Sequence, residues 1–252
     1  MTPAAFKRSI RDLQVWCSSC MVAFSGPDPI GVLIGAKRAS ATLIHRIAVH
    51  PDHRRQGHGS HLLTSLSSKL AILGPPRIVA EIPETFAAAS GLFGAAGYVQ
   101  ETMLTDYVWD SSSRAEVPEA ESRAGEFIIP VTVDDLVANG LLEGDHPQTC
   151  WERSAETLTA RKEEIAGFAV ASDERLEAYV LCLGDEILSL RTLVDDGGSR
   201  LRLLLSQLRS SGAAAIRIAK VHPTELSKEF LETLGFRAAG GHRLFAAKAR
   251  SA

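Results

Sequence analysis

The stretch with the clearest capacity for chemistry is IHRIAVHPDHRRQGHGSHLLTSLSSKL (44–70). An apolar strand ends at Val49 and Pro51 breaks it. The run Arg54-Arg55-Gln56-Gly57-His58-Gly59-Ser60 then opens an amphipathic helix through Leu62, Leu63, Leu66 and Leu70. A glycine-containing turn at a helix N-terminus aims several backbone N–H groups at one point, at the positive end of the helix dipole. That is an anion cradle. Lacking Cβ atoms, Gly57 and Gly59 are expected to let a phosphate approach the backbone. The GK(S/T) of a Walker loop and the GxGxxG of a dinucleotide fingerprint are both missing.

Two other groups of side chains compete for attention. Trp16-Cys17-Ser18-Ser19-Cys20 has the WCxxC spacing of a thiol oxidoreductase. That chemistry needs a strand before it and a helix opening at the first Cys; here a helical pattern precedes it and the strand-like CMVAF (20–24) follows. His45, His50, His53, His58 and His61 crowd the cradle, but no Cys or carboxylate joins them at zinc-ligand spacing. They read as polar groups near a bound anion, and no metal is expected.

The elements that must position the cradle follow from periodicity. A helix over 3–14 precedes strands at 20–24, 29–35 and 42–49. A helix over 59–72, a strand at 77–82, a short helix over 86–96 and a strand at 97–109 follow. Ser/Glu/Ala/Arg-rich residues 113–125 read as a linker. Beyond it come a strand at 126–133, helices at 134–142 and 149–165, and strands at 167–171, 177–183 and 186–194. A helix at 199–210, a strand at 214–221, a helix at 224–235 and a strand at 243–249 close the series. The two series superpose: Phe6 and Trp151 are 145 residues apart, as are Val49 and Val194, and Gly97-Tyr98 and Gly235-Phe236 are 138 apart. The chain is an internal duplication. The first copy lacks the strand and helix that the second has at 126–142, and the second reads DDGGSRLRLL (195–204) in place of the cradle.

With Val49, Pro51, Arg54, Gly57, Gly59 and Leu62 in the pattern V-x-P-x-x-R-x-x-G-x-G-x-x-L, after a strand and before a helix, the chain resembles the GNAT superfamily of acetyl-CoA-dependent N-acetyltransferases. The resemblance implies an α+β fold with two GNAT-like domains, each a mixed, mainly antiparallel sheet flanked by helices. They are a GNAT domain over 1–112, without its first strand and helix, and a degenerate copy over 126–252. It also implies direct transfer of an acetyl group from acetyl-CoA to a primary amine on a protein N-terminus, a lysine or a small molecule. The amides of Arg54, Arg55, Gln56, Gly57, His58, Gly59 and Ser60 would hold the pyrophosphate, and the backbone of Ile47, Ala48 and Val49 would pair with the pantetheine arm. In the related N-terminal-alanine acetyltransferases of ribosomal proteins, a Glu on the fifth strand is the general base and a Tyr twelve positions later the acid. Those positions hold Glu81 and Phe93, so the implied base is present and the implied acid is not. In the second copy, Asp195 and Asp196 would repel a pyrophosphate.

Composition narrows the alternatives. The 252 residues carry 27 basic and 30 acidic side chains, net −3. Residues 1–115 hold 11 Lys/Arg against 8 Asp/Glu, a modest excess that suits a small polyanion and falls short of a nucleic-acid binder. No apolar stretch approaches the roughly 18 residues of a membrane helix, and the N-terminus lacks an uncharged signal core. The expected location is the cytoplasm, with no membrane or nucleic-acid partner, and homo-oligomerisation is left open. A non-catalytic coenzyme A-binding or regulatory module is the competing class, and the thiol oxidoreductase a third.

Overall fold

A computed structural model describes residues 2–110, 127–142, 149–210 and 215–250; the linker read at 113–125 lies outside them. Along the chain run α1 (Pro3–Leu13), β1 (Met21–Ser25), β2 (Asp28–Lys37), β3 (Ala41–Val49), α2 (His58–Leu73), β4 (Arg77–Pro83), α3 (Ala87–Ala95) and β5 (Val99–Asp110). Then come β6 (Phe127–Pro130), α4 (Val133–Ala138), α5 (Ala155–Ala160), β7 (Ala166–Ala171), β8 (Leu176–Leu183), β9 (Glu186–Thr192), α6 (Ser199–Ser210), β10 (Ala215–Val221), α7 (Lys228–Thr233) and β11 (Arg237–Lys248). The α+β class expected from the sequence is the one observed. The helices expected at 134–142 and 149–165 are shorter: α4 and α5 have six residues each, and three-residue 3₁₀ turns flank α5.

The chain forms two compact units, Met1–Met103 with Gly241–Ala252, and Leu104–Gly240. This division differs from one at 112 and 126 because strands are exchanged in sequence. β11 pairs antiparallel with β4 (Leu244↔Glu81), so the end of the chain completes the first unit's sheet, in the order β1-β2-β3-β4-β11. The later part of β5 pairs antiparallel with β10 (Ile218↔Tyr107) and completes the second unit's run of strands, β6-β7-β8-β9-β10-β5.

In the first unit α2 buries Leu62, Leu63, Leu66 and Leu70, spaced to line one stripe of a helix, against Leu33, Ile44, Ile78, Ala80 and Phe245. It stops at Gly74, followed by Pro75-Pro76, which cannot extend a helix. In the second unit α6 does the same with Leu201, Leu204, Leu205 and Leu208, while α4 and α5 cover a further core around Tyr179 and Leu181. Among the described residues the first unit has no counterpart of β6 and α4.

The duplication reaches individual hydrogen bonds. Tyr98 N–H donates to the Phe93 carbonyl at 3.0 Å and Phe236 N–H to the Leu231 carbonyl at 3.0 Å, after glycines at φ 82° and 92°. The left-handed glycine ends both short helices in the same way. Helix starts repeat as well: His61 N–H bonds Gly57 at 2.9 Å and Arg202 N–H bonds Gly198 at 3.0 Å, with φ of 85° and 82° at the two glycines. The second copy therefore keeps a glycine turn that the sequence reading denied it.

Candidate functional site

The site begins with two parallel strands that separate. β3 and β4 pair only at Ala41↔Arg77, Thr42↔Ile78 and Leu43↔Val79. Past that point each keeps its outer neighbour. β2 follows β3 as far as Gly31↔Val49, and β11 follows β4 as far as His242↔Pro83. The β2–β3 register shifts at Ile34/Gly35, leaving His45 as an extra residue. Such a bulge bends its strand and increases its twist, which carries the end of β3 away from β4. The wedge that opens has Ile47, Ala48 and Val49 on one wall, partly to fully exposed. Glu81 is on the other, half-buried, on the face opposite to the core residues Ile78, Ala80 and Ile82.

Where β3 ends, the cradle begins. Arg55 and Gly57 are both left-handed, at φ 63° and 85°, and Gly57 caps α2 without any side-chain hydrogen bond. Such kinked backbone gathers N–H groups into an anion-binding concavity. The amides of His58, Gly59 and Ser60 precede the first bond of the helix, from His61. Arg54 Nε donates to the Val49 carbonyl at 3.1 Å and Gln56 Nε2 to the Asp52 carbonyl at 3.0 Å, tying the turn to the strand end. Arg55 is exposed. The rings of His50, His53 and His58 meet edge-on at 5.9 and 6.1 Å. Among the described residues no group of three or more His, Cys, Asp or Glu is arranged around a metal site.

Two sequence arguments change here. A Cβ on Gly59 would lie 3.1 Å from Leu92 of α3, so this glycine serves helix packing rather than phosphate approach. A Cβ on Gly57 would meet nothing within 4 Å; its requirement is the left-handed φ. Phe93 is fully buried, its ring 5.1 Å from Tyr98 and 5.8 Å from Phe245, so the position matched to the acid faces the core. Tyr98 offers no substitute: its hydroxyl is buried with no hydrogen-bond partner among the described residues, and burial pushes its pKa up.

Solved structures of the same architecture include GNAT proteins. A tandem GNAT protein from the clavulanic acid biosynthesis pathway aligns with TM-score 0.64 at 15% identity, over 97% of this chain and 88% of its own. A GCN5-related N-acetyltransferase from Sphaerobacter thermophilus gives 0.63 at 13%, over 92% and 81%. One from Anabaena variabilis gives 0.66 at 11%, over 99% and 67%. At such identities the likeness concerns the fold. Residues 16–100, which contain the cradle, the wedge and Glu81, match the family described as acetyltransferase (GNAT) domain. That match makes residues 16–100 a GNAT domain. The whole chain shares the fold of the tandem GNAT protein.

The second GNAT-like unit fills its own cradle. Asp196 Oδ1 accepts from the Gly198 N–H at 2.9 Å, and Oδ2 accepts from the Arg200 N–H at 2.8 Å and its Nη1 at 3.2 Å. Burial pushes the Asp196 carboxyl up, but these amides and the guanidinium outweigh it and hold the pKa below the usual carboxylate value. Arg200 is further paired with Glu177. An internal carboxylate thus occupies the amides that a GNAT cradle would offer a phosphate. Near the end of β10 the 138-residue offset puts Ala219 where β4 has Glu81, and the next residue, Lys220, at φ 53°, lies 2.7 Å from Glu152. Sequence reading saw the acidity of 195–196 but not its target, because the contact depends on how the turn folds back.

The WCxxC pair sits between α1 and β1. Cys17 is exposed, Cys20 Sγ lies 3.3 Å from the Trp16 carbonyl, and both are free thiols. No helix opens at Cys17 beyond a three-residue 3₁₀ turn, so the thiol lacks the helix dipole that activates it in an oxidoreductase. No helix among the described residues is long and apolar enough to cross a membrane.

Proposed function

We propose that the first unit transfers an acetyl group from acetyl-CoA to a primary amine, directly and without a covalent enzyme intermediate. The observation that carries this reading is the β3–β4 wedge, with an open cradle at the end of one wall and Glu81 on the other. The amides of His58, Gly59 and Ser60, with Arg54, Arg55 and Gln56 around them, would take the pyrophosphate. The inner edge of Ile47, Ala48 and Val49 is free of β4 and would accept the pantetheine arm as an added strand. Glu81 would remove the proton that keeps an amine from attacking the thioester. A thiolate leaving group needs little help, so the core placement of Phe93 is compatible with turnover.

A second reading, a coenzyme A-binding module without catalysis, draws its support from that same placement of Phe93. The two are separated by offering acetyl-CoA with n-butylamine, spermidine, glucosamine or a peptide bearing a free N-terminus and one lysine, and measuring released thiol. Amine-dependent release supports transfer; acetyl-CoA binding with no release for any of the four supports the module.

A further inference from the structure

We propose that His242, on the last strand of the chain, is a positioning residue that holds the Glu81 carboxylate in its proton-accepting orientation. The chemistry of this proposal rests on the transferase reading above; the pairing of the two side chains does not.

The argument starts from strand register. β11 runs antiparallel to β4 with Leu244 opposite Glu81 and His242 opposite Pro83. Phe245, opposite Ala80, and Ala247, opposite Ile78, pack on the core side of the first unit. Side chains alternate along a strand, so Leu244 and His242 share the other face with Glu81. His242 is then the diagonal neighbour of Glu81, at about 7–8 Å between backbone positions, within reach of two long side chains. Both are half-buried.

A one-residue slip would send His242 to the opposite face, and three contacts prevent it. Arg243 Nη1 donates to Ser90 Oγ of α3 at 2.9 Å, and Phe245 stacks on Phe93. The Glu84 N–H donates to the Gly241 carbonyl at 2.9 Å. Close packing leaves no slack: a Cβ on Gly241 would stand 3.0 Å from Met103 Cε and 3.4 Å from Glu84 Oε2. Of the other charged groups near this strand pair, Arg77 is bound to Glu101 and Arg243 to Ser90, while the Glu84 carboxylate lies beside Gly241.

In the reaction the amine lone pair forms the C–N bond as the C–S bond breaks, and the electron pair leaves on sulfur. Glu81 takes the proton lost by nitrogen, and water returns it to the thiolate, so protons balance. An imidazole N–H donated to one carboxylate oxygen leaves the other aimed at the amine. Misplacing a catalytic group by about 1 Å costs up to about 100-fold.

The test is a cycle of Glu81→Gln, His242→Ala and the double variant in the full chain, read in two ways. In urea unfolding without substrate, the two midpoint shifts are non-additive if the side chains are coupled. In thiol release from saturating acetyl-CoA, with the fastest of the four amines above, His242→Ala lowers kcat by about 10–100-fold at unchanged KM for acetyl-CoA. The double variant is no slower than Glu81→Gln alone, and His242→Gln, which keeps an N–H donor, recovers part of the loss. Additive effects in either readout overturn the proposal. Absence of thiol release from the unaltered chain overturns the transferase reading instead, and the unfolding cycle then decides the pairing by itself.

Discussion

Glu81 and Tyr98 illustrate what single residues do in the first unit. Glu81→Gln keeps size and much of the hydrogen bonding but cannot accept a proton. Its kcat is expected to fall by about 100-fold at pH 7, with acetyl-CoA affinity little changed. Raising the pH recovers part of the loss, because more amine arrives already neutral; steady-state rates from pH 7 to 9 check this. An unchanged kcat would retire Glu81 to a structural role. Tyr98 buries a hydroxyl with no partner among the described residues, where the second copy has Phe236. An unpartnered buried polar group costs about 1–3 kcal/mol, so Tyr98→Phe is expected to stabilise the chain by about 1 kcal/mol in urea unfolding. The glycine turn was legible in the sequence because a break between strand and helix is a local pattern. The reason for Gly59 was not, because Leu92, 33 positions later, supplies it through helix packing.

Elements explain how one fold supports an open cradle and a closed one. α2 and α6 start with the same glycine conformation and the same first hydrogen bond, and differ in what faces their N-termini. Asp196 is held below its unfolded pKa by the Gly198 and Arg200 amides. The sign follows: its contribution to stability is present above the unfolded value of about 4 and is lost as pH falls through the folded one. The urea midpoint is therefore expected to drop on acidification in that range, and less in Asp196→Asn, whose neutral amide has no carboxyl proton to bind. Equal acid sensitivity of the two proteins would mean that the α6 cap carries no linkage. Most strands and the long helices lie within a few residues of the ends read from the sequence, but β11 starts at Arg237, six residues before the expected 243. The short α4 and α5 were not, since six-residue helices are set by their Thr132 and Ser154 caps more than by apolar periodicity.

At the scale of the whole molecule, the two units are interleaved in sequence. Residues 241–252 belong with 1–103, and Phe245 from that segment lies in the first unit's core. Strand order of this kind is not written in local periodicity. Each strand was recognisable, yet nothing in LFAAKA (244–249) says that its neighbour is β4. A chain ending at residue 240 is therefore expected to lose the fold of its first unit and all acetyl-CoA binding, as circular dichroism and calorimetry would detect. Retained binding would contradict the exchange. The central claim, that one cradle is open and the other closed, is tested most directly by calorimetric titration of the full chain with acetyl-CoA, alongside Gly57→Val and Asp196→Asn. The account predicts one site per chain, abolished by Gly57→Val, where a β-branched residue opposes the left-handed φ, and unaffected by Asp196→Asn. A stoichiometry near two, or wild-type affinity in Gly57→Val, would contradict it.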